Sequence, residues 1–172
     1  LARTRDASLD RTLKDMHLLH EEASGMQHQR RLQTNNYNWT QIGLDIDGEN
    51  KQDKSGESVS ISSDGRIVAI GATLNNGNGG NSGHVRIFKW DDSTLASVQL
   101  GGDIDGKQNG DQSGESVSLS GDGKTVAIGA TLNDGNKGNS GHVRIFKLDD
   151  DDSTLAWVQL GGDIDGEKSG DQ

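Results

Sequence analysis

SGESVSISSDGRIVAIGA, residues 55–72, returns as SGESVSLSGDGKTVAIGA at residues 113–130. The likeness extends on both sides: QIGLDIDG at residue 41 becomes QLGGDIDG at 99, and NSGHVRIFK at 81 is repeated at 139. A further copy opens as QLGGDIDG at 159, and the sequence ends at Gln172, where the next SGESV is expected. The offsets are 58 and 60 residues, the two extra positions lying in the Asp149–Asp152 run. Of the 49 aligned positions in 41–89 and 99–147, 36 are identical and 13 differ. A period of this length means repeated supersecondary units, each of which buries an apolar face against its neighbour. Such near-identity implies tandem duplication, so sameness alone does not separate positions that serve the fold from those that serve a ligand.

Within one unit, Ser58-Val59-Ser60-Ile61-Ser62 alternates small polar and apolar residues, the period-2 signature of a strand. Asp64-Gly65 follows, a dipeptide suited to a tight turn in which both central residues take positive φ. Ile67–Ala72 is a continuous apolar run, expected of a strand covered on both faces. A loop of Asn and Gly, Thr73 to Gly83, leads to a third strand at His84–Trp90; Asp91-Asp92-Ser93 turns the chain into a fourth at Leu95–Leu100. The second unit repeats the pattern at 116–120, 125–130, 142–148 and 155–160. Four strands joined by short turns in about sixty residues read as one antiparallel sheet.

The composition restricts function. Only 29% of residues are hydrophobic and 25 are Gly, with no Pro and no Cys. Turns therefore rest on Gly, Asn and Asp, and neither a disulfide framework nor a Cys-based zinc site is possible. The net charge is −10, and all of the excess falls after residue 40. A nucleic-acid or anionic-membrane surface needs the opposite sign. No apolar run approaches the roughly 18 residues needed to span a bilayer.

Residues 1–38 stand apart as an N-terminal segment, helical or disordered. Ser8 is a fitting cap, with Leu9, Leu13 and Met16 on one helical face and Gly25 as a stop. Glu21 and Glu22 oppose this reading, because they sit at the negative end of the dipole. His17 and His20 with Glu21 offer a metal-binding face or merely a solvated one, and Arg30-Arg31 a processing site or an ordinary polar linker. The first residue is Leu, so the start of the protein is expected upstream. From Trp39 the repeat region begins part-way through a unit. It comprises a partial blade at 39–54, blades at 55–100 and 113–160, and the start of the next repeat at 159–172.

The order SG-x-SV, DG, AIGA and G-x-V-x-I-F resembles the FG-GAP repeat of integrin-type β-propellers. It is similar above all to the shorter repeats of secreted microbial proteins, whose blades end in W-x-Q-L. The resemblance covers residues 39–172 and implies an all-β fold of tandem four-stranded antiparallel blades, a partial β-propeller. It also implies an extracellular or cell-surface setting. Two departures matter. Ser55 and Ser113 stand where the family has Phe, and the calcium-binding hairpin has shrunk to Ser62–Gly65 and Ser120–Gly123, too few oxygens for the six to eight that Ca²⁺ takes.

A second set of acids recurs: Asp45, Asp47 and Asp53; Asp103, Asp105 and Asp111; Asp163, Asp165 and Asp171. Either the D-I-D-G-x-x-x-x-D string binds calcium, or its acids form turns by bonding their own backbone. His84 and His142 open the third strand of each unit, as ligands or as partners of a neighbouring carbonyl. Trp39, Trp90 and Trp157 suit either carbohydrate stacking or anchoring between blades. No nucleophile–base pair or phosphate-cradling loop is present in the sequence. The expected function is a non-enzymatic binding or adhesion scaffold for a protein or glycan ligand. A calcium-stabilised module and a piece of a propeller enzyme with its catalytic residues elsewhere are the alternatives. Two blades leave apolar faces uncovered, which calls for further blades of the same chain or for self-association.

Overall fold

The computed structural model describes residues 38–135, 138–151 and 155–170. The expected N-terminal helix, the His17–His20 pair and Arg30-Arg31 lie outside them. The chain divides into two units, Leu1–Gln41 and Ile42–Gln172. All regular structure among the described residues is β and belongs to the second unit.

The first sheet is built from β1 (Ser55–Ile61), β2 (Ile67–Ala72), β3 (His84–Asp91), β4 (Ala96–Gln99) and β5 (Ile104–Asp105). The second repeats it as β6 (Ser116–Leu119), β7 (Thr125–Ala130), β8 (His142–Asp149), β9 (Ala156–Gln159) and β10 (Ile164–Asp165). Every pairing between these strands is antiparallel. The first four strands lie in sequence order, and β5 pairs with the start of β3, His84 opposite Asp105. The fourth strand is thus one edge in two pieces, with Leu100 still donating its amide to Ile87 (2.7 Å). It does not stop at Leu100, as the sequence suggested, but carries the Asp-Ile-Asp string into the sheet.

The Asp-Gly hairpins differ from expectation in one detail. Gly65 takes φ +72° and Gly123 +73°, whereas Asp64 and Asp122 stay at negative φ. Their carboxylates are occupied locally: Asp64 Oδ1 accepts from Ser62 Oγ (2.5 Å) and Arg66 N (3.0 Å), as Asp122 does from Ser120 and Lys124. The Ser side chain closes the loop by accepting from the Ile67 or Thr125 amide. A single left-handed glycine therefore suffices.

The two sheets stack through opposite faces. The first contributes Ala69, Val85, Ile87, Leu100 and Ile104; the second contributes Val126, Ile128, Phe146 and Leu148, with Ile67, Val117, Leu119 and Trp157 at the margin. Val126 and Phe146 are the repeat equivalents of Val68 and Phe88, which lie on the other side of the first sheet. A head-to-tail contact of this kind can be repeated indefinitely. The serines of β1 face the neighbour rather than water: Ser58 Oγ donates to Gly114 O (2.6 Å), and Ser60 Oγ accepts from Leu119 N (2.9 Å). Gly71 lets the backbones meet, since a Cβ there would stand 2.1 Å from Gly114 O.

Burial confirms which face is open. Val85, Leu100 and Ile104 are 0%, 8% and 5% exposed, whereas their equivalents Val143, Leu160 and Ile164 are 38%, 47% and 58% exposed. The architecture is that of tandem four-stranded antiparallel propeller blades, each covering the next.

Candidate functional site

The eight described aspartates of the recurring set do not act as equivalent triplets. Asp53 and Asp111 are buried and bond the connection that each belongs to. Asp53 Oδ2 accepts from Asn50 N (3.0 Å) and Asn75 Nδ2 (2.9 Å), and Asp111 Oδ2 from Lys107 N (3.0 Å) and Gln108 N (2.8 Å). The three backbone bonds are turn contacts, whereas Asn75 reaches Asp53 from the Asn/Gly loop. Asp45 and Asp47 lie in the connection before β1, where the Asp47 carbonyl accepts from Arg86 Nη2 (2.6 Å). Asp105 O receives Arg144 in the same way (2.7 Å). Asp103 and Asp163 precede β5 and β10, each accepting from the Gln four residues earlier. Asp105 and Asp165 are in those strands, and Asp171 lies outside the described residues.

What converges instead comes from three different stretches. Pairing of β5 with β3 brings Asp103 beside His84, and the connection before β1 adds Glu49. One ligand atom from each of Glu49, His84 and Asp103 lies within 4.8 Å of the others. The His84 side chain is buried, and its Nδ1 stands 3.9 Å from both Glu49 Oε2 and Asp103 Oδ2. At that distance neither is a hydrogen bond, and His84 Nδ1 has no other partner. Arg86 Nη1 lies 3.9 Å from the other Glu49 oxygen, and its guanidinium rests over Phe88. Burial and the Asp103 charge raise the Asp105 carboxyl above its ordinary range.

In the second copy His142, Asp163 and Asp165 come together, but Lys107 has taken the position of Glu49. Lys107 Nζ donates to Asp163 Oδ2 (2.6 Å), which is also 3.3 Å from His142 Nδ1. Burial pulls the Asp163 carboxyl upward, yet the bonds from Lys107 and Gln159 hold it below its usual value. His142 is lowered, first by burial and then by the Arg144 charge, which outweigh Asp163 and Asp111. Neither ring nitrogen of His142 has a hydrogen-bond partner.

The Asn/Gly loop is tied into the next repeat. Asn75 and Ser82 are buried, and Asn75 Oδ1 caps Gly77 N (2.7 Å). Asn78 Nδ2 donates to Gly106 O (2.9 Å). Along the loop, Gly106 N donates to Gly83 O, Gly110 N to Gly80 O and Ser113 N to Ser82 O, at 2.8–2.9 Å. Gly83 and Ser113 form a parallel bridge. Trp157 joins the sheets on another side, its Nε1 donating to Leu100 O (2.7 Å), while Trp90 lies against Gly43. Both serve as anchors between repeats.

Residues 105–146, from β5 to near the end of β8, match the model of the FG-GAP repeat. No curated protein matches the chain. A candidate 6-phosphogluconolactonase of Bacteroides fragilis is similar in structure, with a TM-score of 0.46 and 20% identity. The similarity covers 74% of this chain and 30% of that one.

Proposed function

We propose that this FG-GAP-like repeat protein is a non-enzymatic binding scaffold, placed outside the cell or at its surface, with a protein or glycan as ligand. The observation that carries the reading is the joint between each Asn/Gly loop and the following connection. Backbone bonds fix the two into one preorganised surface that presents exposed polar side chains such as Asn78, Gln108 and Asn109. Preorganisation of this kind removes the ordering cost that a mobile loop would add on binding. FG-GAP repeats are typical of extracellular proteins, which supports the setting. The open apolar face of the second sheet receives another blade of the same type, supplied by the same chain or by a second copy.

The test is a screen of the tag-free chain against immobilised glycans and extracellular-matrix proteins. Saturable binding that a Gln108→Ala/Asn109→Ala variant loses at unchanged melting temperature supports the proposal. Absence of any saturable ligand in both panels defeats it. Calcium is the second reading, because Asp103, just before β5, lies close enough to Asp105 for its charge to help raise the Asp105 carboxyl. Calorimetric titration with CaCl₂ separates it: no heat and no shift in melting temperature removes that version.

A further inference from the structure

We propose that Glu49, His84 and Asp103 bind a divalent transition-metal ion of the zinc type, and that Lys107 supplies the equivalent positive charge in the second copy. The inference is independent of what the rim binds. Its first support is His84: a buried imidazole with an unpartnered Nδ1 turned toward two carboxylates, 3.9 Å from each. Burying a polar atom without a partner is costly. A metal ion between the three groups removes that cost and relieves the repulsion between Glu49 and Asp103.

The second support is the internal comparison. Aligned positions 49 and 107 hold Glu and Lys, whereas His84/His142 and Asp103/Asp163 are unchanged. Glu49 and Asp103 bring two carboxylates to one buried imidazole, a charge that one divalent ion cancels. In the second copy the Lys107 ammonium and the Asp163 carboxylate cancel each other, held at 2.6 Å. One residue change thus swaps a bound cation for a covalently attached one. The arginine beside each site is matched: Arg86 and Arg144 each reach the carbonyl of the preceding Asp-Ile-Asp string.

The donor set selects the ion class. One imidazole and two carboxylates suit zinc and its neighbours, whereas calcium wants six to eight oxygens and no nitrogen. Tetrahedral zinc with bonds of about 2.0–2.1 Å sets its ligands roughly 3.4 Å apart, so the carboxylates must draw in slightly. They are the partners able to do so, with side chains 42% and 30% exposed. Asn75 Nδ2, 3.4 Å from Glu49 Oε2, and Arg86 on the other oxygen hold Glu49 toward the site. Three protein ligands leave a fourth position open to water.

The experiment is calorimetric titration of the tag-free chain with ZnCl₂, together with E49K and K107E. E49K places in the first copy the residue that the second already accommodates, and both positions are exposed, so each variant retains the fold. The expected results are one zinc site in the wild type, at least tenfold weaker in E49K, and a second site in K107E. Binding that persists unchanged in E49K overturns the assignment, as it would if His17 and His20 held the ion. Absence of zinc binding, or a response to calcium alone, also overturns it. A K107E protein that melts like the wild type but takes up no additional ion refutes the role given to Lys107.

Discussion

Gly71 and Gly129 are repeat equivalents, yet alanine at the two positions has unlike consequences. A Cβ at Gly71 meets Gly114 O at 2.1 Å, Ser58 Oγ at 2.4 Å and Gly114 C at 3.0 Å. Two of these atoms are backbone of the neighbouring sheet, and they cannot move without opening the joint. A Cβ at Gly129 meets only Ser116 Oγ at close range, 2.3 Å, and a hydroxyl rotates away. Overpacking costs roughly 1–3 kcal/mol, and loss of the Ser58–Gly114 bond adds about 1 kcal/mol. Restriction of the unfolded chain returns about 0.4–1 kcal/mol at either position. Gly71→Ala should therefore destabilise by about 2–3 kcal/mol, and Gly129→Ala by less than about 1 kcal/mol. For a unit of this size, roughly 4 °C per kcal/mol puts the Gly71→Ala melting temperature about 8–12 °C low. Urea unfolding and thermal melts of both variants measure this. Equal effects at the two positions refute the stacking of the sheets through this glycine.

Two further outcomes are expected from the same joint and its buried groups. Trp157→Phe keeps the ring packed but leaves Leu100 O without its donor, which should cost about 1 kcal/mol in urea unfolding. Stability should also fall as the pH drops below about 6.5, the ordinary histidine value. The His142 pKa is lowered in the fold, so between its two values the unfolded chain takes up a proton that the folded chain refuses. A second loss comes at lower pH, where Asp64, Asp122 and Asp163, all held below the usual carboxylate range, become protonated. Chemical denaturation from pH 8 to pH 3 traces both, and His142→Gln should flatten the upper step only.

The period, the hairpins and the position of each third strand were legible because alternation and Asp-Gly turns are local signals. The apolar run at Ile67–Ala72 likewise gave away a strand covered on both faces. The continuation of the fourth strand into Ile104–Asp105 was not legible, since two residues among Gly and Asp carry no periodicity. Nor was the role of the β1 serines. Ser58 and Ser60 look like a solvent-facing row, and only the stacking shows them bonded to Gly114 and Leu119. The aspartates recur as one string in sequence, yet Asp53 and Asp103 also face groups from distant parts of the chain. Asp53 belongs to Asn75, and Asp103 to His84 and Glu49, which no spacing rule connects. A signal did exist: the recurrent His84 and His142, set against a Glu49-to-Lys107 reversal of charge at aligned positions.

Each sheet buries one face against the opposite face of the next, leaving the equivalent face of the second sheet open. Ile104 and Ile164 test it directly, being the same residue in the same string at 5% and 58% exposure. In urea unfolding, Ile104→Ala should cost about 2–4 kcal/mol and Ile164→Ala less than about 1 kcal/mol. Equal costs at the two positions would contradict this stacking.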